Sequence, residues 1–254
     1  MSGPEIVDVT LENVDKTGFF CFMSKKKAPG YAKKMRWLKD RMTEGLRIKM
    51  LKLPDRGFIE YIPGEYAFRA VNADGFMFIH CLWVVGKSKG KGSGKLLLDA
   101  CIEDARNAGM KGVVTLSSEG NWLHGSSIFK KNGFECVSEE FPFSLWVIKF
   151  KPCENPVFCG EWKKKTGYPE GLTIYTSDQC PYVHDAELIA TQTAEKVGFP
   201  VRTVKLETRE DIVNLSPTPY GSFALVLNGK LLGYHYLLEK DLLPVLKEQL
   251  VRVL

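Results

Sequence analysis

The stretch Lys89-Gly90-Lys91-Gly92-Ser93-Gly94-Lys95 joins an apolar, β-branched run, Phe76–Val85, to a segment of helical spacing, Leu96–Ala105. Glycine lets a backbone approach a ligand closely and take positive φ. The helix start that follows offers unpaired N–H groups and the positive end of a helix dipole. Lys89, Lys91 and Lys95 add full charges. These residue types suit the grip of a diphosphate; a merely flexible loop is the competing reading. No Gly-Lys-Ser/Thr stands at the offset a P-loop needs. The strands before the loop look antiparallel, which argues against a dinucleotide fingerprint.

Other groups able to do chemistry lie around this loop. His80 sits in Ile79-His80-Cys81-Leu82. Its ordinary pKa suits a general base, and a satisfied core histidine is the alternative. His124 and Ser117 lie near the expected mouth of the loop. Glu60, Tyr61 and Tyr66, with Trp37, are candidates for an acceptor pocket or for plain core and surface. Further on, Gln179-Cys180-Pro181-Tyr182-Val183-His184 follows the apolar run Leu172–Tyr175. A thiolate there would be stabilised by the helix it introduces. Cys153 and Cys159 lack further ligands nearby, so no metal site is expected.

The positioning elements are legible by period. Tyr31, Met35, Leu38, Met42 and Leu46 recur at helical spacing. Ile48–Leu53, Phe58–Ile62, Tyr66–Val71 and Phe76–Val85 read as antiparallel strands broken by Pro54, Pro63-Gly64 and Asp74-Gly75. A helix over 94–108 stops at Gly109, Val113–Leu116 is a strand, Ser126–Asn132 a short helix, and Phe143–Phe150 a last strand. The stretch 149–171 is rich in proline and glycine and reads as a linker. Beyond it come a strand at Leu172–Tyr175, a helix to Val197, strand Val201–Leu206, a short helix at Glu210–Val213, a hairpin around Asn228-Gly229, and a terminal helix from Asp241. The expected division is 1–150, a linker at 151–171, and a smaller domain at 172–254. The fold class is mixed α/β.

Composition bounds the rest. The chain has 254 residues, 44% of them hydrophobic and 26% charged, as expected of a globular protein with a sizeable core. The net charge of +5 is too small to imply nucleic-acid binding, but it suits a phosphate-bearing small ligand. No apolar run reaches membrane-spanning length, and Met1-Ser2-Gly3-Pro4-Glu5 lacks the features of a secretory signal. Seven scattered cysteines then read as thiols in a reducing cytoplasm.

The loop and its surroundings resemble the GCN5-related N-acetyltransferases. Lys89 stands where that family usually has Gln or Arg, and Gly92 and Gly94 match its glycines. Val113–Leu116, Asn121 and Phe129-Lys130-Lys131-Asn132-Gly133-Phe134 follow in the family's order. The resemblance implies a mixed sheet with flanking helices and acetyl-CoA as cosubstrate. Val84, Val85, Lys89, Gly90, Lys91, Gly92, Ser93, Gly94, Lys95, Asn121 and Phe129 would line its site. A primary amine would be the acceptor, attacking directly in a ternary complex. The backbone near Val84-Val85 would polarise the thioester, with His80 or a water chain as base. The family often places a tyrosine acid at the position of Phe129, which has no proton to give.

The string around Cys180 resembles a glutaredoxin active site on a thioredoxin-like fold. Val183 replaces the resolving cysteine, and Thr218-Pro219 resembles that fold's cis-proline. Cys180 is open to three readings: a monothiol redox site, a remnant in a binding module, or a nucleophile or ligand working with His184. The two-domain order resembles the bacterial and archaeal YoaP-like proteins, predicted acetyltransferases with a second domain of unclear purpose. A non-catalytic CoA-binding regulator and a thiol redox protein are the alternative functions, and a homodimer is left open.

Overall fold

Strands buried on both faces form the centre of one large sheet in the N-terminal half. In the computed structural model, which describes residues 4–119, 122–164 and 168–251, the elements run in chain order as follows. First come β1 (Ile6–Val9), α1 (Val14–Thr17), α2 (Pro29–Thr43), β2 (Arg47–Leu51), β3 (Gly57–Pro63), β4 (Val71–Asn72) and β5 (Met77–Val84). Then follow α3 (Ser93–Asn107), β6 (Gly112–Ser118), α4 (Ser127–Lys131), β7 (Glu135–Glu140), β8 (Phe143–Lys149) and β9 (Val157–Phe158). The sheet is seven-stranded in the order β1-β2-β3-β5-β6-β8-β7. All neighbours are antiparallel except β5 and β6. A parallel pair needs a crossover, and α3 supplies it. This mixed sheet with flanking helices agrees with the expected fold class.

Two irregularities shape the sheet. Glu60 pairs with Cys81 but Tyr61 pairs with Ile79, so His80 is the extra residue of a bulge. An extra residue reverses the inward and outward phase of a strand. Met77 and Ile79 accordingly share the core under α3 with Leu82, and Val84 packs against it. The second irregularity is a splay. β5 and β6 pair only from Met77–Val113 to Ile79–Thr115, although β5 runs on to Val84 and β6 to Ser118.

The strand expected over Tyr66–Val71 does not form. A 3₁₀ turn at Gly64–Tyr66 takes its start, and only Val71–Asn72 pairs, with β9. Gly64 folds so tightly on the following chain that a Cβ would lie 2.0 Å from the Ala73 carbonyl oxygen. Strand β7, in contrast, has no counterpart in the sequence reading. Its charged and largely exposed Glu-Cys-Val-Ser-Glu-Glu lacks alternation because it is a sheet edge, where charge guards against further pairing.

The chain divides into two compact units. The first holds the residues through Lys25, with Leu38–Ala67 and Val71–Phe158; the second holds Lys26–Trp37, Phe68–Ala70 and the chain from Cys159 onward. The second unit thus takes two segments that a boundary at 151–171 assigns elsewhere. It contains β10 (Leu172–Thr176), α5 (Tyr182–Lys196), β11 (Val201–Lys205), α6 (Arg209–Leu215), β12 (Phe223–Leu227), β13 (Lys230–Gly233) and α7 (Glu239–Val251). Its sheet has the order β11-β10-β12-β13, parallel between β10 and β11 and antiparallel elsewhere. Asn228 and Gly229, both at positive φ, make the β12–β13 turn. Thr208 and Asp211 cap α6 reciprocally. The cis peptides among the described residues precede Pro54 and Pro142, so the Thr218–Pro219 bond is not the cis bond expected there. No described helix is long and apolar enough to cross a membrane.

Candidate functional site

The exit of β5 leads through a 3₁₀ turn at Gly86–Ser88 into the glycine loop, which ends on the first turn of α3. Gly90 and Gly92 take φ of +74° and +81°, a region costly for residues with a Cβ. Gly92 caps α3 without a side-chain acceptor. The first-turn amides therefore keep no side-chain cap, the arrangement that favours an anion. Gly94 serves packing instead, since a Cβ there would lie 2.9 Å from Ile128 Cδ1 of α4. Ser88 pins the loop from below. Its hydroxyl accepts the Arg56 N–H at 3.0 Å and donates to Asp55 at 2.8 Å.

These elements enclose a cleft of about 520 Å³. It is lined by Leu82 and Val84 of β5, by Ser88, Lys89, Gly90, Gly92, Ser93, Gly94 and Lys95, and by His124, Ser127, Ile128, Lys131 and Asn132. The charged side chains on this lining are Lys89, Lys95 and Lys131, of which Lys95 also pairs with Asp99 one turn along α3, at 2.5 Å. The Ser93 hydroxyl is buried without a hydrogen-bond partner among the described residues. Such a cleft can hold an elongated, anionic molecule against the end of β5.

The structure brings Val84, Lys89, Gly90, Gly92, Ser93, Gly94, Lys95 and His124 to one cleft. Lys91 is exposed and Val85 half-buried, and neither is on the lining. The Val85 amide donates to the Arg56 carbonyl at 3.0 Å, so it is spent on the sheet. Phe129 is wholly enclosed in the core, edge-on to His124 at 4.8 Å and to Phe134 at 5.3 Å between ring centres. Asn121 lies outside the described residues.

The candidates on β3 separate according to sheet face. Tyr61 is fully buried in the core under α3, and its hydroxyl donates to Asp104 at 2.6 Å. Arg47 and Lys49 bracket the same carboxylate at 3.1 and 3.4 Å. Burial raises the Asp104 pKa, but the Tyr61 hydroxyl, Arg47 and Lys49 together outweigh it and hold it below the usual carboxylate range. Burial, with the Cys101 and Asp104 charges, drives the Tyr61 phenol up. Glu60 joins His80 at the bulge, Oε1 to Nδ1 at 3.5 Å, with almost no exposed surface on either side chain. Tyr66 stands nearly half exposed after the 3₁₀ turn.

Cys180 belongs to the second unit. It is half-buried in the turn before α5, where its carbonyl accepts the Val183 N–H. His184 is engaged by Lys33 Nζ at 3.1 Å through Nδ1. Gly30 lies so close that a Cβ would meet the Pro181 carbonyl oxygen at 2.2 Å.

Sequence reasoning did not select Leu82, Ser88, Ser127, Ile128 or Lys131. The serines flank the two helix starts of the cleft, a positional signal of its own. Leu82 carries no such signal, because only the bulge turns it inward. Thr115 was also passed over. Its hydroxyl contacts the Ile79 carbonyl and His124 Nε2, each at 3.2 Å, where β5 and β6 part.

No family model matches the chain. Among solved structures, the PaiA N-acetyltransferase of Thermoplasma acidophilum, in complex with coenzyme A, is 15% identical. That match covers 59% of this chain and all of that one at a TM-score of 0.42. A ribosomal-protein-alanine N-acetyltransferase from Brucella melitensis is 18% identical over 57% of this chain and 99% of its own, at 0.41. Similarities of this size leave kinship to sequence. There, the N-acetyltransferase YoaP of Bacillus subtilis, itself uncharacterized, is 31% identical over 229 residues, or 88% of this chain and 91% of that protein. Identity sustained across both halves of both chains shows that this protein belongs to the same family as the N-acetyltransferase YoaP.

Proposed function

We propose that the protein transfers an acetyl group from acetyl-CoA to the primary amine of a small molecule or peptide, by direct attack within a ternary complex. One observation carries this reading. The exit of β5, the glycine loop, the uncapped start of α3 and the lysines Lys89, Lys95 and Lys131 converge on a single cleft, with the β5–β6 splay beside it. Kinship to a protein named an N-acetyltransferase supports it. The residues fit the cosubstrate. Gly90 and Gly92 leave open space where side chains would project, and the unpartnered Ser93 hydroxyl can donate to a phosphate oxygen. Lys89, Lys95 and Lys131 balance the negative charge. Val84 and Leu82 give the thioester arm an apolar wall. The edge of β5 beyond its last pairing with β6, toward Val84, offers backbone groups to the acyl portion, in place of the Val85 amide already bound to Arg56. Cytoplasmic residence follows from the same reading.

We assign the second unit a thioredoxin-like fold on its strand order and directions, with Cys180 before α5. The Lys33–His184 contact near the Cys180 turn suits a binding module better than a dithiol cycle, for which Val183 supplies no second sulfur.

Thiol release from acetyl-CoA, assayed with a panel of amines on the full-length protein, tests the transfer reading. Turnover that disappears in Gly92→Trp and persists in Cys180→Ser is the expected result. Tight CoA binding without turnover on any amine would make the protein a CoA-dependent regulator, a reading that Phe129 in place of a proton donor favours. Glutathione-dependent reduction lost in Cys180→Ser would shift the activity to the second unit.

A further inference from the structure

The sheet face opposite α3 carries a second group of side chains at the same end of β5. Ile59 of β3 and Leu82 of β5 belong to the core under α3, and Val84 packs against it. Alternation along each strand therefore sends Phe58 and Trp83 to the other face. The two are register partners, so their side chains stand next to each other. Phe58 is buried, and Phe20 stacks on it at 5.0 Å between ring centres with 20° between the planes. Trp83 stays 43% exposed beside them. The result is an aromatic wall with one open side.

Arg56 adds a charge to this wall. Its backbone is tied to the end of β5 and the loop of the cleft: the N–H donates to Ser88 and the carbonyl accepts from Val85, each at 3.0 Å. Its exposed side chain reaches the aromatic face, with the guanidinium carbon 5.8 Å from the centre of the Phe20 ring. No carboxylate pairs with Arg56 among the described residues. A guanidinium is planar and offers its donors as a fork that matches a carboxylate. Arg56 stands one residue beyond the Gly57–Val84 pair, at the end of β5 that also walls the cleft. There β5 and β6 have stopped pairing, since their last pair is Ile79–Thr115. The sheet is thus interrupted between the cleft on one face and the aromatic wall on the other.

We propose that this face receives the acceptor, and that the acceptor is a free α-amino acid with an aromatic side chain, its ring against Trp83 and Phe20 and its carboxylate on Arg56. This rests on the acetyl-transfer reading. With the cosubstrate in the cleft on the α3 side, the amine has the opposite face from which to approach. Arg56 sits at the strand end that the thioester would reach, so a carboxylate on it belongs only a few bonds from the attacking nitrogen. An α-amino acid has that spacing; the two ends of a longer peptide do not. A flat apolar ring fits a wall of two aromatic rings better than an aliphatic chain does. In the reaction, the ammonium group first gives a proton to water. The amine then forms the C–N bond as the C–S bond breaks, and its surplus proton passes through water to the sulfur. The products are an N-acetyl amino acid and the free thiol.

The test compares L-phenylalanine, phenethylamine and L-alanine as acceptors for acetyl-CoA, with full-length wild type, Arg56→Gln and Trp83→Ala. Phenethylamine lacks the carboxylate and alanine lacks the ring, so each removes one of the two proposed contacts. In wild type, kcat/KM for phenylalanine should exceed that for either of the others at least tenfold. Arg56→Gln should lower kcat/KM about tenfold for phenylalanine and leave phenethylamine within about threefold. Trp83→Ala should lower phenylalanine and phenethylamine alike by about tenfold and leave alanine within about threefold. The losses should lie mainly in KM, as binding contacts require, and the Kd for CoA should stay within about threefold. Equal use of alanine and phenylalanine, or turnover of other amines but of no amino acid, overturns the proposal and leaves acetyl transfer standing. A Kd for CoA raised tenfold or more in Arg56→Gln gives the guanidinium to the cosubstrate and also overturns it. Wild-type protein that turns over no amine removes the transfer reading, and this proposal with it. Should Trp83→Ala fail to fold, the wild-type ranking and Arg56→Gln still decide.

Discussion

At the residue scale, the glycine loop and the β3 side chains answer to different physics. Gly92 is needed for its positive φ at the cap of α3, not for room, because a Cβ there meets nothing within 4 Å. Gly92→Ala should therefore cost about 1 kcal/mol of backbone strain and weaken CoA binding modestly. Isothermal titration alongside thermal melting separates the two effects. Lys131 comes from another helix yet lines the same cleft. Lys131→Glu should raise the Kd for CoA at least tenfold at low salt, and the gap to wild type should shrink as ionic strength rises. Tyr61 was read as a pocket residue, and its type and strand position allowed that. Only the pairing shows it turned to the core under α3, with its hydroxyl on Asp104. Tyr61→Phe should lower stability by about 1 kcal/mol through the lost charge-assisted bond, without changing the Kd for CoA.

At the scale of elements, the bulge and splay of β5 determine which side chains meet. Deleting His80 would close the bulge and return Leu82 and Val84 to the opposite face of the sheet. The expected result is loss of cooperative unfolding and of CoA binding, read by calorimetry and titration. A strand apolar on both faces gives no alternation from which such a phase change could be read, and Phe76–Val85 is one. The loop was legible because glycine and lysine punctuate it between a strand and a helix. The absence of a strand at Tyr66–Val71 was not, since the close approach of Gly64 to Ala73 is a contact made only in the fold.

For the whole molecule, two features matter. Asp104 ties β2, β3 and α3 together. Its folded-state pKa is lowered, so the stability it contributes is present above the ordinary carboxylate value near ~3.9. That contribution is lost as pH falls through the lowered value. Asp104→Asn should be less stable at neutral pH and show a flatter acid limb, measured by denaturant midpoints from pH 7 to pH 2. The second unit is not a contiguous stretch of chain. Arg69, 2% exposed, donates to the Phe68 carbonyl and the Gln179 side chain, each at 2.6 Å, and stacks on Tyr220. A fragment of residues 159–254 lacks Lys26–Trp37 and Phe68–Ala70 and should not fold cooperatively. In the full chain, Arg69→Leu should cost about 1.5–3 kcal/mol by removing the charged donor from the Phe68 carbonyl and the Gln179 side chain. Circular dichroism with urea titration checks both.

By itself, the sequence determined the elements whose signal is local. The period of α3 and α5, the glycine loop and the Asn228-Gly229 turn depend on residues within a few positions of one another, and the resemblance around Lys89–Phe134 on the order of such short motifs. Tertiary structure alone decided the face of Tyr61, the bulge at His80, the contact of Thr115 with His124 and the recruitment of Arg69 to the second unit. Each joins groups on different elements or depends on one extra residue in a strand. Composition and period carry no record of such pairings, because free energy assigns them only when the whole sheet closes.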